Sequence, residues 1–200
     1  MAPGADLRRL VEERRPADQR EAAAKERFLA ELARLPHPCD EHADPVHVTA
    51  SAVVVGTRGT VLHRHRRLGR WMQPGGHLEP GEEPWQAAHR ESEEETGLPL
   101  RHPPGGPLLL QVDVHEAALG HTHLDLRFLL VGPPEDPAPP AGESPDAAWF
   151  DWAEASSMAD ESLAHAIVRA RSLWEEQGDG WSRRTGRYDG GSRREGDHVG

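Results

Sequence analysis

The 200-residue sequence is poor in cysteine: Cys39 is its single example, so no disulfide can form within the chain. The first residues lack the apolar core of a signal peptide, and no apolar run approaches the ~20 residues that span a bilayer. These absences predict a reduced, cytoplasmic protein with no membrane partner.

An excess of basic charge is also missing. Lys and Arg together number 23 against 34 Asp and Glu, and the formal net charge is -11. Duplex nucleic acid is bound through clusters of basic residues that contact its phosphates, so this balance argues against duplex nucleic acid as a partner. A small phosphorylated substrate is compatible with the negative charge if a metal ion supplies the opposite sign.

Composition and hydrophobic periodicity divide the chain into three parts. Residues 1–44 are predicted to form an N-terminal helical extension and linker, with two amphipathic helices that break near Pro16. Residues 45–177 carry the pattern of one domain, whereas residues 178–200 have little to bury and are predicted to be disordered. The extension would either pack on the domain or form a homodimer contact, and the sequence favours neither.

Alternating apolar and β-branched residues predict strands within the domain. Residues 47–55 and 59–65 flank a glycine-containing turn and predict a hairpin, and residues 107–117 and 123–132 predict two more strands. A short strand near residue 148 and a closing helix over residues 163–174 complete the pattern. The fold class is therefore α/β.

The segment RESEEETG, residues 90–97, carries four glutamates in five positions. A helix over about residues 84–96, ended by Gly97, would place three of them on one face: Glu91, Glu94 and Glu95. Like charges at this spacing repel, and acids in the last turn oppose the helix dipole. Either this face is merely solvated, or a hard divalent cation such as Mg²⁺ or Mn²⁺ binds the carboxylates.

Together with the residues before it, the segment GHLEPGEEPWQAAHRESEEETGL, residues 76–98, resembles the signature of the Nudix hydrolase family, the MutT-like pyrophosphohydrolases. That signature is G, five residues, E, seven residues, then R-E-U-x-E-E-x-G-U, where U is a bulky apolar residue. Eight of its nine specified positions match, namely Gly76, Glu82, Arg90, Glu91, Glu94, Glu95, Gly97 and Leu98. Ser92, at the first U position, departs from the pattern, which should weaken local packing against the sheet.

The resemblance covers about residues 45–177 and implies an α/β/α sandwich with a mixed sheet. It also implies hydrolysis of a nucleoside diphosphate linked to another moiety, with Mg²⁺ or Mn²⁺ as cofactor. Carried over residue by residue, it implies four metal ligands: Glu91, Glu94, Glu95 and the carbonyl of Gly75. It further implies that Arg90 orients Glu91 and that Glu82 ties the loop to the helix.

The resemblance leaves the proton acceptor open. Glu94 and Glu91 are the first candidates within the motif, and ligand and base are not separated there. Outside the motif, the segment HEAALGHTHLD offers four further groups: Glu116, His121, His123 and Asp125. Glu116 is preferred among these because an oxygen donor suits a hard cation better than imidazole does.

Three residues are candidates for substrate contact. Arg64 could bind a phosphate through its guanidinium, although a solvated turn explains it equally well. Gly76 allows the backbone to approach a ligand closely, and His77 either touches a phosphate or shapes the loop.

The 13 histidines raise the question of a zinc site. His121 and His123 are the closest pair, but no CxxC or HExxH spacing accompanies them, so the sequence favours exposed strand positions over structural zinc.

Two functions fit the motif. The first is a metal-dependent pyrophosphohydrolase, and the second is a Nudix-like module that senses a nucleotide without cleaving it. Such modules usually lose motif glutamates, so the presence of Glu91, Glu94 and Glu95 favours the enzyme. The leaving group is recognised by loops outside the motif, and the substrate stays open.

Overall fold

The computed structural model describes residues 3–177 and 180–181. Two helices, α1 (Pro3–Glu13) and α2 (Gln19–Arg34), precede the first strand. The strands are β1 (Val46–Gly56), β2 (Gly59–Arg64), β3 (Trp71–Met72), β4 (Gly75–His77), β5 (Leu108–Glu116), β6 (Thr122–Val131) and β7 (Ala147–Phe150). Three further helices are α3 (Pro84–Thr96), between β4 and β5, and α4 (Trp152–Met158) and α5 (Glu161–Gln177), after β7.

The seven strands form one mixed sheet with the order β3-β2-β1-β6-β5, while β4 pairs with β1 and β7 with β2. The pair β1–β6 is parallel, and the other pairs are antiparallel. The predicted β1–β2 hairpin and the two further predicted strands, β5 and β6, are confirmed.

Each face of the sheet has its own core, because successive side chains of a strand point to opposite faces. On one face Val48 and Ala50 pack with apolar residues of α1, α2 and α3. On the other face Val53 and Val55 pack with residues of α4 and α5. The α/β/α sandwich and its mixed sheet are confirmed.

Helix α2 packs against β5, the outermost strand on one side of the sheet. Glu21 of α2 is 2 % exposed, and its carboxylate accepts hydrogen bonds from Arg14 Nε at 2.6 Å and from the backbone N–H of Val112 at 3.1 Å. A buried carboxylate is stable only when it is paired in this way. The helical extension thus packs on the domain, while the division of the chain at residues 44 and 177 and the proposed homodimer stay predictions.

Helix α3 begins and ends at sequence-encoded signals. Glu83 precedes it and donates its backbone N–H to the side chain of Gln86 at 3.0 Å, and Gly97 ends it with a left-handed φ of 66°. A Cβ at Gly97 would lie 2.0 Å from the carbonyl oxygen of Ala138. Glycine is therefore required here both for its left-handed backbone and for its lack of a side chain. The predicted helix bounds are confirmed, and they fix which carboxylates share a face.

Most of the tail that was predicted to be disordered, residues 178–200, lies outside the described residues. Trp181 is buried, with its ring centroid 6.1 Å from that of Trp174. No helix in the described part of the chain is long and apolar enough to cross a bilayer.

Candidate active site

Arg90 gathers the carboxylates of the acidic helix around one guanidinium. Its Nη1 donates to Glu91 at 2.8 Å and to Glu94 at 3.3 Å, and its Nε and Nη2 donate to the two oxygens of Glu82 at 3.0 and 2.9 Å. Nη2 also donates to the carbonyl of His77 at 3.0 Å. A planar guanidinium holds several acceptors in fixed directions, which a lysine cannot do. Arg90 therefore fixes the positions of Glu91 and Glu94 and ties the helix to the loop before it.

Glu95 completes what we call the acidic group: Glu91, Glu94 and Glu95. One oxygen of Glu95 accepts the backbone N–H of Gly75 at 2.9 Å, and the other lies 3.5 Å from Nδ1 of His63. The structure thus places the backbone N–H of Gly75 against the acidic group, while the carbonyl of Gly75 as a metal ligand stays a prediction.

The acidic group is unevenly buried, and burial disfavours the charged form of two of its carboxylates. Burial raises the pKa of Glu95 to about 8; the Gly75 hydrogen bond opposes this rise, and the charges of Glu91 and Glu94 add to it. Burial also raises the pKa of Glu91, despite the hydrogen bond from Arg90. Glu94, by contrast, is 52 % exposed. A cation at these oxygens would relieve both the burial penalty and the repulsion, so the carboxylates fit a hard divalent ion.

Two glycines make room for this arrangement. A Cβ at Gly76 would lie 2.5 Å from Cδ of Glu91, and a Cβ at Gly75 would lie 2.4 Å from Cβ of Ser51. Real Cβ atoms do not approach other atoms so closely, so any side chain at Gly76 would displace Glu91. Gly76, predicted as a substrate contact, lies directly against a carboxylate of the acidic group.

The other candidate residues lie against different partners. Glu116 contacts Arg27 at 3.3 Å and the hydroxyl of Thr122 at 3.1 Å, at the far end of β5. Arg64 donates from Nε to the carbonyl of Gly69 at 3.2 Å. The roles of Glu116 as base and of Arg64 in phosphate binding therefore stay predictions.

His77 points away from the acidic group. Its Nε2 lies 3.1 Å from Nε2 of His47, and its Nδ1 lies 3.3 Å from the carboxylate of Glu41. Burial lowers the pKa of the His77 imidazole. The phosphate contact predicted for His77 is untested.

A buried polar network that sequence reasoning did not connect lies on the face of the sheet that faces α5. Ser51 donates to Asp125 at 2.6 Å, and Arg127 lies 3.4 Å from Asp125 and 3.8 Å from Asp113. Burial opposes ionisation of Asp113, but the hydrogen bond from His115 and the charge of Arg127 hold its pKa well below the usual range. The sequence does show polar residues alternating along β5 and β6. Predicting the network also required the strand register, which places Asp113 opposite Asp125.

Known proteins resemble this chain in sequence and in fold. A family model described as NUDIX domain matches residues 45–178. None of the curated proteins compared with the chain matches it.

Solved structures share the fold. A NUDIX-family hydrolase from Clostridium perfringens is 24 % identical with a TM-score of 0.53, and 66 % of this chain and 98 % of that chain are covered. A C. elegans Ap4A hydrolase is 21 % identical with a TM-score of 0.55, covering 64 % and 98 %. A NUDIX hydrolase from Nitrosomonas europaea is 28 % identical with a TM-score of 0.51, covering 63 % and 88 %.

The family match spans more than half of the chain, and the segment it covers contains the complete set of motif glutamates on α3. The chain therefore belongs to the Nudix family, as a Nudix-type pyrophosphohydrolase.

Proposed function

We propose that this protein hydrolyses the pyrophosphate bond of a nucleoside diphosphate linked to another moiety, in the cytoplasm, with Mg²⁺ or Mn²⁺ held by the acidic group and the Gly75 carbonyl. The observation that carries the proposal is the Arg90 guanidinium, which holds Glu82, Glu91 and Glu94 in one cluster beside Glu95 and Gly75. Such a cluster of partly buried acids is unfavourable unless positive charge is added.

A bound divalent cation would neutralise the phosphate oxygens in the transition state and make the attacking water more acidic. The residues of the chain supply positioning and a proton acceptor. Water attacks one phosphorus, the bridging P–O bond breaks, and the water's proton passes to a carboxylate. Glu94 suits that role because it is half exposed and held by a single long hydrogen bond from Arg90 at 3.3 Å. Glu91 and Glu116 are the alternatives.

The substrate class is the open part of the proposal. The C. elegans relative is an Ap4A hydrolase, which favours including dinucleoside polyphosphates among the compounds tested. Oxidised nucleotides, ADP-ribose, sugar nucleotides and coenzyme A derivatives complete the panel. Arg64 and Gly76 are the proposed contacts with the substrate phosphates.

The test is a screen of the purified chain against this panel with Mg²⁺ or Mn²⁺, detecting the phosphorylated products. Glu94→Gln is run in parallel, and Glu175→Gln, at a glutamate 56 % exposed on α5, serves as the matched control. We expect one class to be turned over in a metal-dependent manner, with turnover lost in Glu94→Gln and kept in Glu175→Gln.

The second candidate, a nucleotide-sensing module without catalysis, predicts a different result. It would bind one panel member tightly, release no product, and bind equally well after Glu94→Gln. That outcome would replace the enzyme proposal.

A further inference from the structure

Three histidines from three neighbouring strands meet at one point of the sheet. His47 of β1 pairs with His123 of β6, and His77 of β4 pairs with Thr49 of β1, one pleat further along. Each of the three rings offers one nitrogen, and these nitrogens all lie within 4.8 Å of one another. We call His47, His77 and His123 the histidine group.

Hydrogen bonding fixes how the ring of His47 is protonated. Its Nδ1 lies 3.1 Å from the carbonyl of Asp44, and because a carbonyl only accepts, Nδ1 carries the hydrogen. In the neutral ring, Nε2 therefore presents a lone pair to Nε2 of His77, 3.1 Å away.

Neither neutral form of His77 satisfies both of its neighbours. With hydrogen on Nδ1, next to the Glu41 carboxylate at 3.3 Å, the two Nε2 lone pairs of His77 and His47 face each other. With hydrogen on Nε2, a lone pair faces the Glu41 carboxylate instead. A cation at the two Nε2 atoms removes this conflict, and the carbonyl and carboxylate behind the rings are the partners that metal-bound histidines commonly have.

The histidine group is separate from the acidic group. Gly76 is directed at Glu91 of α3, and its neighbour His77 must point to the opposite face of the sheet because side chains alternate along a strand. The strand registers give the same result. Gly76 lies opposite Ala50, which packs in the core with α3. His77 lies opposite Thr49, which contacts Asp125 on the other face.

We propose that the histidine group binds Zn²⁺ or a similar borderline transition-metal ion and clamps β4 and the linker to β1 and β6. Imidazole is a ligand for such ions rather than for Mg²⁺. Tetrahedral zinc with Zn–N bonds of ~2.05 Å separates its ligand nitrogens by ~3.3 Å, so the observed 3.1 Å between His47 and His77 needs only a small adjustment. His121, whose ring centroid lies 5.2 Å from that of His47, or a water molecule would take the fourth position.

The clamp would act on the neighbouring centre through β4. This strand has three residues, with Gly75 at one end and His77 at the other. Glu41 and Asp44, which hold the rings of His77 and His47, both belong to the linker. A metal at the histidine group would therefore hold together the linker and the strand that contributes Gly75 to the acidic group.

The test is direct zinc binding by the full chain after removal of metal with a chelator. Zn²⁺ is titrated against a chromophoric competitor in excess Mg²⁺, which occupies the acidic group. We expect one Zn²⁺ per chain. Loss of a ligand's supporting partner costs a metal site roughly 10–100-fold in affinity, so Glu41→Gln should weaken zinc binding by ~10-fold. His47→Gln and His123→Gln each remove a ligand itself and should weaken zinc binding by ~100-fold or more.

The control variant is His37→Gln, at an exposed linker histidine outside the group, which should bind zinc as the original chain does. Zinc binding of the His47 and His123 variants equal to that of the control would overturn the proposal.

A second measurement covers the case in which the variants do not fold. X-ray absorption of the zinc-loaded original chain should show imidazole scattering from three ligands, or from four if His121 takes the fourth position, with Zn–N of ~2.0–2.1 Å. A spectrum with oxygen ligands alone would place the ion elsewhere and reject the histidine group as a zinc site.

Discussion

The acidic group and the histidine group lie on opposite faces of the sheet, next to the same short strand, and they are built in different ways. The glutamates come from two turns of one helix, with one arginine holding two of them. The histidines come from three strands, and any two of these histidines lie at least 30 residues apart in sequence. The first group offers hard oxygen donors and the second offers imidazole nitrogen, so the two suit different metal ions. The difference teaches that a site encoded by one helix is visible in a sequence motif, whereas a site encoded by strand register is visible only in the fold.

Substitution of Arg90 should have the largest effect, and it should impair the acidic group much more than the histidine group. Arg90→Gln removes the fork that holds Glu82, Glu91 and Glu94, and misplacing catalytic groups by an ångström costs on the order of 10²-fold in rate. We expect kcat/KM to fall by roughly 10²–10³-fold, whereas zinc affinity should fall far less, because Arg90 contacts the histidine group only through the backbone carbonyl of His77. Arg171→Gln, at an exposed arginine on α5, is the control. Equal activity of the two variants would show that Arg90 does not position the acidic group.

Gly76→Ala should have the next largest effect, because the added Cβ would lie 2.5 Å from Cδ of Glu91. We expect a fall in kcat/KM of roughly 10–100-fold, as displacement of a positioned group implies. Gly180→Ala is the matched control, because a Cβ there meets nothing within 4 Å. Steady-state kinetics and a thermal melt of both variants make the measurement, and an unchanged Gly76→Ala enzyme would contradict the packing argument.

Glu95→Gln should stabilise the metal-free protein at alkaline pH although it impairs activity. The folded-state pKa of Glu95, about 8, lies above its ordinary value, so its stabilising contribution is complete at acid pH and is lost as the pH rises through 8. At pH 9 the buried carboxylate is charged, and glutamine removes that penalty, on the order of 1–3 kcal/mol.

Urea denaturation with chelator present, at pH 9 and at pH 4.5, measures this difference for Glu95→Gln and for Glu175→Gln. We expect a gain for Glu95→Gln at pH 9 that shrinks at pH 4.5. A gain of the same size at both pH values would mean that ionisation of Glu95 is not its source.

Ser92 should show the smallest effect. It is fully buried, and its hydroxyl donates to the carbonyl of Ala88 at 2.6 Å, a carbonyl on the same helix four residues earlier. Alanine is compatible with the helix, and the Ala88 carbonyl still accepts its hydrogen bond from the helix backbone. Ser92→Ala should therefore change the free energy of unfolding by less than about 1 kcal/mol. Chemical denaturation decides this, and a loss above about 2 kcal/mol would show that the serine is a required part of the packing.

Much of the acidic group could be predicted from sequence because local rules determine it. Helix periodicity places Glu91, Glu94 and Glu95 on one face, and Gly97 marks where the helix ends. The β1–β2 hairpin and the strands β5 and β6 likewise followed from alternation and glycine-containing turns. Each of these features is determined by residues that are close to it in sequence.

The features that sequence did not predict depend on register between distant strands. His47 lies opposite His123 only because β1 and β6 run parallel with this pairing, and one residue of slip would turn one ring to the other face. The spacing of His121 and His123 pointed away from zinc, because zinc spacings describe ligands from one local segment. The hydrogen bond between Gly75 and Glu95 was also invisible, since it needs the position of β4 against α3.

The carboxylate of Glu21 bears on how this molecule meets its neighbours. The outward-facing N–H of Val112 on edge strand β5 would otherwise be free to pair with a strand of another molecule, which is how sheets add strands and aggregate. Because a side chain from α2 occupies this amide and the helix packs against the strand, α2 protects this point of the β5 edge against strand addition. A strand of a second molecule that paired with β5 at this point would first have to displace Glu21 from Val112.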